Sequence, residues 1–325
     1  MTARLLPLDA ATYRASALHS GERQWPETNC YVDLWIEVLH ALGFDPRAAL
    51  GFTVAQDFEG DQFTFFKFPP EDLRALFGLS VQELTLYDTL EAHLATQIGR
   101  GRLVLVEVDA FHLPDTRGAS YRRDHAKTTI AVNELDTVDR RLGYFHGPGY
   151  FALDGEDFDG VLRRTATLRA LPDLLFPYAE FVKRDAALAT AEALAVTARG
   201  LLRVHLARVP ADPFGQLASA FESHVATLLS RDMAYFHQYA FNVPRQFGAN
   251  FELLGDHLAW LRDHGDRGLD AVILDCGRIA TGAKTMQFQL ARAASRRKPV
   301  DQTANLADLA AAHARVLETL RDRYR

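Results

Sequence analysis

The amino-acid sequence predicts an α+β fold in which helices come first, an antiparallel sheet follows, and the second half of the chain is mostly helical. Short apolar runs between residues 103 and 153 are typical of strands. The link at residues 136–140 is too short for a crossover helix, so these strands should run antiparallel. From Val161 onward, apolar residues recur at helical spacing. We therefore predict two regions, 1–160 and 161–325.

The first half opens with an N-terminal arm, residues 1–23, followed by an amphipathic helix that starts near Cys30. Gly43 and Pro46 supply the stop signals that end this helix. The alternating aromatic segment Q-F-T-F-F-K-F at 62–68 predicts a strand. Helices are then predicted at 71–77 and 84–98, and strands at 103–108, 127–135 and 141–153.

The second half carries apolar stripes that are typical of core-facing helices. Predicted helices lie at 186–203, 215–239, 251–263 and 306–321. Cys276 follows the apolar run 271–274 and is expected to be a buried helix or strand residue. The loop around 242–248 is a place where specificity residues could lie.

Composition excludes several classes of function. The chain has 325 residues, 48% of them hydrophobic, and a net charge of −6 without charged blocks, which argues against nucleic-acid binding. No apolar run reaches the roughly 18 residues of a membrane span. The two cysteines and the absence of a signal-peptide pattern predict a cytoplasmic protein without disulfides. Neither zinc motifs nor nucleotide-binding glycine loops occur, so we expect no metal and no bound cofactor.

Cys30 stands where the turn-prone segment P-E-T-N becomes a helix. Backbone N–H groups in a first helical turn have no intrahelical acceptor, and the positive end of the helix dipole favours a thiolate over a thiol. Cys30 is therefore a candidate nucleophile. Gln24, six residues earlier, could help the N–H of Cys30 to stabilise an oxyanion. The competing interpretation is a small buried residue at a helix start.

A cysteine nucleophile needs a base, and the base needs an orienting acceptor. We favour His125 as the base, because it opens a predicted strand after a polar loop; His112, which follows a strand, is the rival. Four residues are candidates for the third member of the set. They are His146 on the next strand, Asp109 at the preceding strand end, and Asn133 and Glu134 on the strand of His125.

The segment V-E-V-D-A-F-H-L-P-D-T at 106–116, followed by Tyr121, His125 and T-T-I-A-V-N-E-L-D, resembles the butirosin-biosynthesis acyltransferase family, which has a papain-like cysteine fold. It is also similar to a domain family of unknown function associated with amino-acid:carrier-protein ligases. The resemblance covers about residues 24–160. It implies a papain-like catalytic region, with the helical region 161–325 covering the cleft.

The resemblance implies acyl or aminoacyl transfer from the phosphopantetheine arm of a carrier protein, through Cys30, to a small amine or another nucleophile. His125 would serve as base and then acid, and Gln24 as an oxyanion donor. His146 stands where the family pattern leads us to expect aspartate, so Asp109 is the alternative third member. A peptidase or amidase, or a non-catalytic binding protein, remains open.

Docking of an acidic carrier protein predicts basic residues near the cleft. Arg117, Arg122, Arg123 and Lys127 flank His125 in the sequence, and we predict that Arg122, Arg123 and Lys127 bind substrate. The competing interpretation is an ordinary solvated loop. A peptidase would need no such basic surface.

Overall fold

The computed structural model describes residues 2–169, 176–185 and 190–325, and it has the predicted α+β organisation. Strands form an antiparallel sheet, and the C-terminal half is helical. The strands are β1 (Thr2–Arg4), β2 (Leu79–Glu83), β3 (Leu103–Asp109), β4 (Lys127–Asp136), β5 (Arg141–His146), β6 (Gly149–Asp154) and β7 (Ala179–Arg184). The helices of the first 170 residues are α1 (Cys30–Ala41), α2 (Pro70–Phe77), α3 (Leu90–Gly99), α4 (Gly155–Val161) and α5 (Ala166–Arg169).

The later helices follow α6 (Ala191–Leu206) in close succession. They are α7 (Pro213–Ser230), α8 (Met233–Ala240), α9 (Gln246–Asp263), α10 (Asp270–Arg296) and α11 (Thr303–Arg323). A π-helix at Phe241–Arg245 leads into α9, and a long 3-10 helix lies at Pro46–Ala55. The first four residues of the predicted helix 186–203 lie outside the described residues. No helix within the described ranges is both long and apolar enough to cross a membrane.

The chain divides into two compact units that are interleaved in sequence, which differs from the predicted boundary at residue 160. The first unit contains residues 1–20, 30–45 and 73–188, and the second contains 21–29, 46–72 and 189–325. The boundary differs because strand β7 completes the sheet from beyond residue 160, while two early segments pack among the late helices. The order of elements along the sequence does not show that a segment of one half packs in the other unit.

In the first unit, the sheet has the strand order β2-β7-β3-β4-β5-β6, and β1 pairs with β4 beyond the end of β3. The predicted meander β3-β4-β5 is confirmed. Valines of β3 pack with α3 and α4 in one core on one sheet face. Nine consecutive residues of α1, Tyr31–Leu39, are buried, as expected for a helix that is enclosed on all sides.

The predicted strand at 62–68 is wrong. These residues form no ladder beyond a single bridge between Phe58 and Phe63. The side chains of Phe63, Phe66 and Phe68 are buried, and the ring of Phe63 lies 4.9 Å from that of Phe247 in the second unit. These aromatic side chains therefore pack one by one against other elements of the unit, and they are buried without pairing in a strand.

Helix α9 in the second unit comes unusually close to its neighbours at Gly248. A Cβ atom there would lie 2.6 Å from the Cβ of Ala283 and 2.7 Å from the Trp25 ring. We expect Gly248→Ala to lower the free energy of unfolding by about 1–3 kcal/mol, because overpacked cores are strained. Gly277→Ala is the matched control: its Cβ meets nothing within 4 Å, so it should stabilise by about 0.5–1 kcal/mol. Urea denaturation measures both, and equal effects would contradict the prediction.

Candidate functional site

Cys30 is the first residue of α1, as the sequence predicts, and its side chain is partly exposed. Thr28 and Asn29 before it and Tyr31–Leu39 after it are buried, so Cys30 is a partly exposed position between buried residues. Cys276 is fully buried in α10, and burial raises the pKa of its thiol. Of the two cysteines, Cys30 is thus the one that solvent can reach.

His125 and Asp109 meet where β3 ends and β4 begins. Antiparallel pairing places Asp109 opposite Lys127, and the Nδ1 atom of His125 lies 2.5 Å from Oδ2 of Asp109. The imidazole stacks on the Phe111 ring, with centroids 4.6 Å apart. The His125 side chain is 74% exposed. One edge of the His125 ring is therefore fixed by Asp109, and the other edge is open.

The Asp109 carboxylate is stabilised in its ionised form. Partial burial would raise its pKa, but the hydrogen bond from His125 and those from the backbone N–H groups of Phe111 and Ala126 lower it below the usual value. An ionised carboxylate can only accept a hydrogen bond, so Nδ1 of His125 carries the proton. The Nε2 atom is then left to accept a proton from another group.

A cavity of about 380 Å³ opens beside this pair. Its wall includes the exposed aromatic side chains of Phe176 and Tyr178. The lining residues are Glu107, Val108, Asp109, His125, Ala126, Lys127, Arg163, Phe176, Pro177 and Tyr178. An imidazole, two carboxylates and aromatic surface thus face one space, as in many small-molecule sites.

The start of α1 is tied to the rim of this cavity through one carboxylate. The Tyr31 hydroxyl donates to Oε2 of Glu180 at 2.9 Å, and the Tyr178 hydroxyl donates to Oε1 of Glu180 at 2.8 Å. Tyr31 directly follows Cys30 in the chain. Within the described residues, the hydrogen bonds and ring contacts of His125 go to Asp109 and Phe111, and none goes to Cys30.

His146 belongs to a separate network. Its Nδ1 atom lies 2.5 Å from Asp115, and its Nε2 atom lies 2.8 Å from the hydroxyl of Thr128. Thr128 pairs with Val108, whose side chain points to the face opposite Asp109 because side chains alternate along a strand. The predicted contact between His146 and His125 is therefore not formed. The acceptor that orients His125 is Asp109.

Asn133 and Glu134, two further candidates for the orienting acceptor, have partners that do not line the cavity, whereas His112, the rival base, lies against the Phe111 ring. Asn133 lies at a register shift in β4 and binds the backbone of Leu6 in the N-terminal arm. Glu134 pairs with Arg4. His112 packs against Gly160, and partial burial is the main cause that lowers its pKa. Asn133 and Glu134 therefore hold the N-terminal arm and β1, while His112 as the base stays a prediction.

Gln24 lies in the second unit. Its side-chain amide donates to the Thr281 hydroxyl at 2.7 Å, and its backbone N–H donates to Glu252. The amide proposed from sequence as an oxyanion donor is thus engaged by Thr281 in this structure. The oxyanion role of Gln24 stays a prediction.

The basic residues near His125 are partly neutralised. Arg122 pairs with Asp157 at 2.6 Å, and Lys127 pairs with Glu107 at 2.7 Å. Among the residues that the structure describes, the Arg123 guanidinium donates to the backbone carbonyl of Gly118, and Arg117 lies over the Tyr121 ring. A basic surface here would therefore depend mainly on Arg117 and Arg123.

Sequence reasoning missed the residues that connect the site. Glu180 and Tyr178 are distant from Cys30 and His125 in the chain, and no local pattern indicates their partners. The short alternation A-E-F-V-K-R of β7 was the one local signal for Glu180. Among the described residues, no group of three His, Cys, Asp or Glu side chains could hold a metal ion.

Two family models match the chain. The model described as the DUF1839 N-terminal domain matches residues 14–184, and the DUF1839 C-terminal domain matches residues 191–322. No curated protein matches the sequence. These matches carry no support for the butirosin-biosynthesis family or a papain-like fold, which stay proposals.

Proposed function

The chain belongs to the DUF1839 family, and from the geometry of its own residues we propose that it is a cysteine-dependent acyltransferase with a papain-like arrangement. In such an arrangement the nucleophile begins a helix and the base opens a strand. The observation that carries the proposal is the His125–Asp109 pair, whose free imidazole edge faces a cavity. Cys30, the accessible cysteine, begins the helix that Glu180 ties to the rim of that cavity.

The proposed reaction has two halves. The Cys30 thiol first gives its proton to the Nε2 atom of His125, the thiolate attacks the carbonyl carbon of a donor thioester, and the donor thiol leaves with that proton. The acceptor amine then attacks the Cys30 thioester while the Nε2 atom of His125 takes its proton, which releases an amide and restores the thiolate. Asp109 holds the imidazole and balances its positive charge. The backbone N–H of Cys30 is the nearest candidate for an oxyanion donor.

We propose a carrier protein as the source of the acyl group, with phosphopantetheine as the donor arm. Two features support this donor: the resemblance of residues 24–160 to an acyltransferase family, and Arg117 and Arg123, which lack carboxylate partners within the described ranges and suit an acidic partner. The exposed rings of Phe176 and Tyr178 offer surface for an acyl chain or for the arm. Arg122 and Lys127 contribute to substrate binding only if their present ion pairs open.

Hydrolysis of an amide or peptide is the second candidate function. The observation in its favour is the exposure of His125 at 74%, because an open site admits water as the acceptor. The same cysteine, imidazole and carboxylate would carry out this reaction. The two functions differ only in whether an amine or water attacks the Cys30 thioester.

Mass spectrometry of the intact protein tests the proposal. Wild type and Cys30→Ala are mixed with several aminoacyl-loaded or acyl-loaded carrier proteins. We expect an acyl adduct on the wild type alone, and its transfer to an added amine. Rapid loss of the adduct in water, without an amine product, would favour hydrolysis.

Cys276→Ala serves as the matched control, because a buried thiol should form no adduct and its removal should leave adduct formation intact. If no carrier yields an adduct and iodoacetamide fails to modify Cys30, the proposal fails. A non-catalytic binding protein would then be the better interpretation.

A further inference from the structure

A second cavity of about 240 Å³ lies in the first unit and shares no residue with the cavity beside His125. Eight of its ten lining residues are apolar, and Gly101 and Arg184 are the exceptions. The lining residues are Leu5, Leu6, Val38, Leu42, Leu79, Gly101, Leu103, Phe145, Val182 and Arg184. This cavity is therefore an apolar pocket with one charged residue, Arg184, in its lining.

The walls of the pocket belong to elements that are held by separate contacts. The floor is the sheet, where Val182 pairs with Leu103. The N-terminal arm forms another wall: the N–H of Leu6 donates to Oδ1 of Asn133 at 2.8 Å, and the Asn133 amide donates back to the Leu6 carbonyl at 3.0 Å. This pair of hydrogen bonds holds the arm against β4, so the arm is not free to collapse into the space.

Arg184 supplies a positive charge at this apolar space. It lies two residues after Val182 on β7, so both side chains are on the same sheet face. Its guanidinium lies over the Phe44 ring, 5.4 Å from the centroid. Its neighbours Lys183 and Asp185 pair with each other at 3.4 Å. Within the described part of the chain, Arg184 itself forms no ion pair.

We propose that this pocket binds a medium-chain carboxylate, such as a fatty acid, with its chain among the leucine, valine and phenylalanine side chains and its carboxylate on Arg184. Arginine matches a carboxylate in charge and geometry. A cavity of about 150 Å³ holds the six carbons of benzene. At about 25 Å³ per carbon atom, the pocket of about 240 Å³ holds about ten carbon atoms. The proposal does not depend on the proposed acyltransferase activity.

Isothermal titration calorimetry with hexanoate, octanoate, decanoate and dodecanoate, each below its micelle concentration, tests the pocket. Affinity should rise about fourfold per added methylene up to about ten carbons and then level off. Arg184→Gln should weaken decanoate binding about 10- to 100-fold and leave decanol binding unchanged. Leu6→Trp, which fills the space from a partly exposed position, should shorten the chain length at which affinity levels off.

Lys183→Gln is the matched control, because it removes a charge from the adjacent position on the other sheet face; decanoate should bind this variant as it binds the wild type. Cys30→Ala should also bind normally, which separates the pocket from the catalytic proposal. Equal binding of decanol and decanoate, an equal loss in Lys183→Gln, or no saturable binding would each overturn the proposal.

Discussion

Replacement of His125 by alanine is expected to slow acylation of Cys30 by about 10²–10⁴-fold, the usual contribution of a general acid–base residue. The reason is geometric: His125 has an oriented imidazole whose open edge faces the cavity. The measurement is the single-turnover rate of adduct formation with a loaded carrier protein. Because His125 is exposed, its removal should leave the free energy of unfolding nearly unchanged.

Two further variants sharpen this prediction. Asp109→Asn should also slow acylation, because an amide cannot balance the imidazolium charge or fix the tautomer as a carboxylate does. His146→Gln is the control: His146 is held by Asp115 and Thr128, so its removal should change the acylation rate little. A loss in His146→Gln as large as that in His125→Ala would show that His146 belongs to the reaction.

Replacement of Glu37 by alanine should lower the free energy of unfolding by about 3–5 kcal/mol, because it removes the carboxylate that binds Nδ1 of the buried His19 cation and leaves the more distant Asp33, at 3.4 Å. Glu37 on α1 is fully buried. Its carboxylate accepts hydrogen bonds from the Tyr13 hydroxyl at 2.6 Å and from the backbone N–H of Ser16 at 2.9 Å, and it also binds Nδ1 of His19. The other ring nitrogen of His19 faces Asp33.

The effect should depend on pH. Burial by itself would lower the pKa of His19, but the hydrogen bonds and charges of Asp33 and Glu37 reverse this and raise it to about 9. The unfolded chain has a histidine pKa of about 6.5. The charged pair therefore contributes fully below about pH 6.5, and its contribution is lost as pH rises through about 9.

Urea denaturation of the wild type and of Glu37→Ala at pH 6 and pH 9.5 measures this difference. We expect a larger loss of stability at pH 6. Glu37→Gln keeps the shape of the side chain and part of its hydrogen bonding. Its free energy of unfolding should lose the dependence on pH, and at pH 9.5 it should fall less than that of Glu37→Ala. The same difference at both pH values would show that His19 is neutral in the folded protein.

Local patterns were sufficient to predict much of the sheet and the start of α1. The mostly apolar run at 103–108 became β3, because a strand that is buried on both faces is apolar at most positions, and the predicted strand at 127–135 became β4. The single strand predicted at 141–153 is instead two antiparallel strands, β5 and β6, because the chain reverses at Gly147 and Pro148. Strand β7 and helix α10 were missed, since the first is short and the second mixes charged and small residues.

Local sequence patterns identified the chemical groups of the candidate site: a cysteine at a helix start, a histidine that opens a strand, and an aspartate that ends the strand before it. These are local properties, set by capping residues and by hydrophobic periodicity. The accessibility of Cys30 and the pairing of these groups are seen in the tertiary structure alone. It paired His125 with Asp109, placed His146 against Asp115, engaged the Gln24 amide with Thr281, and brought Glu180 of β7 to Tyr31. Such pairings depend on strand order and register between distant segments, which local sequence periodicity does not encode.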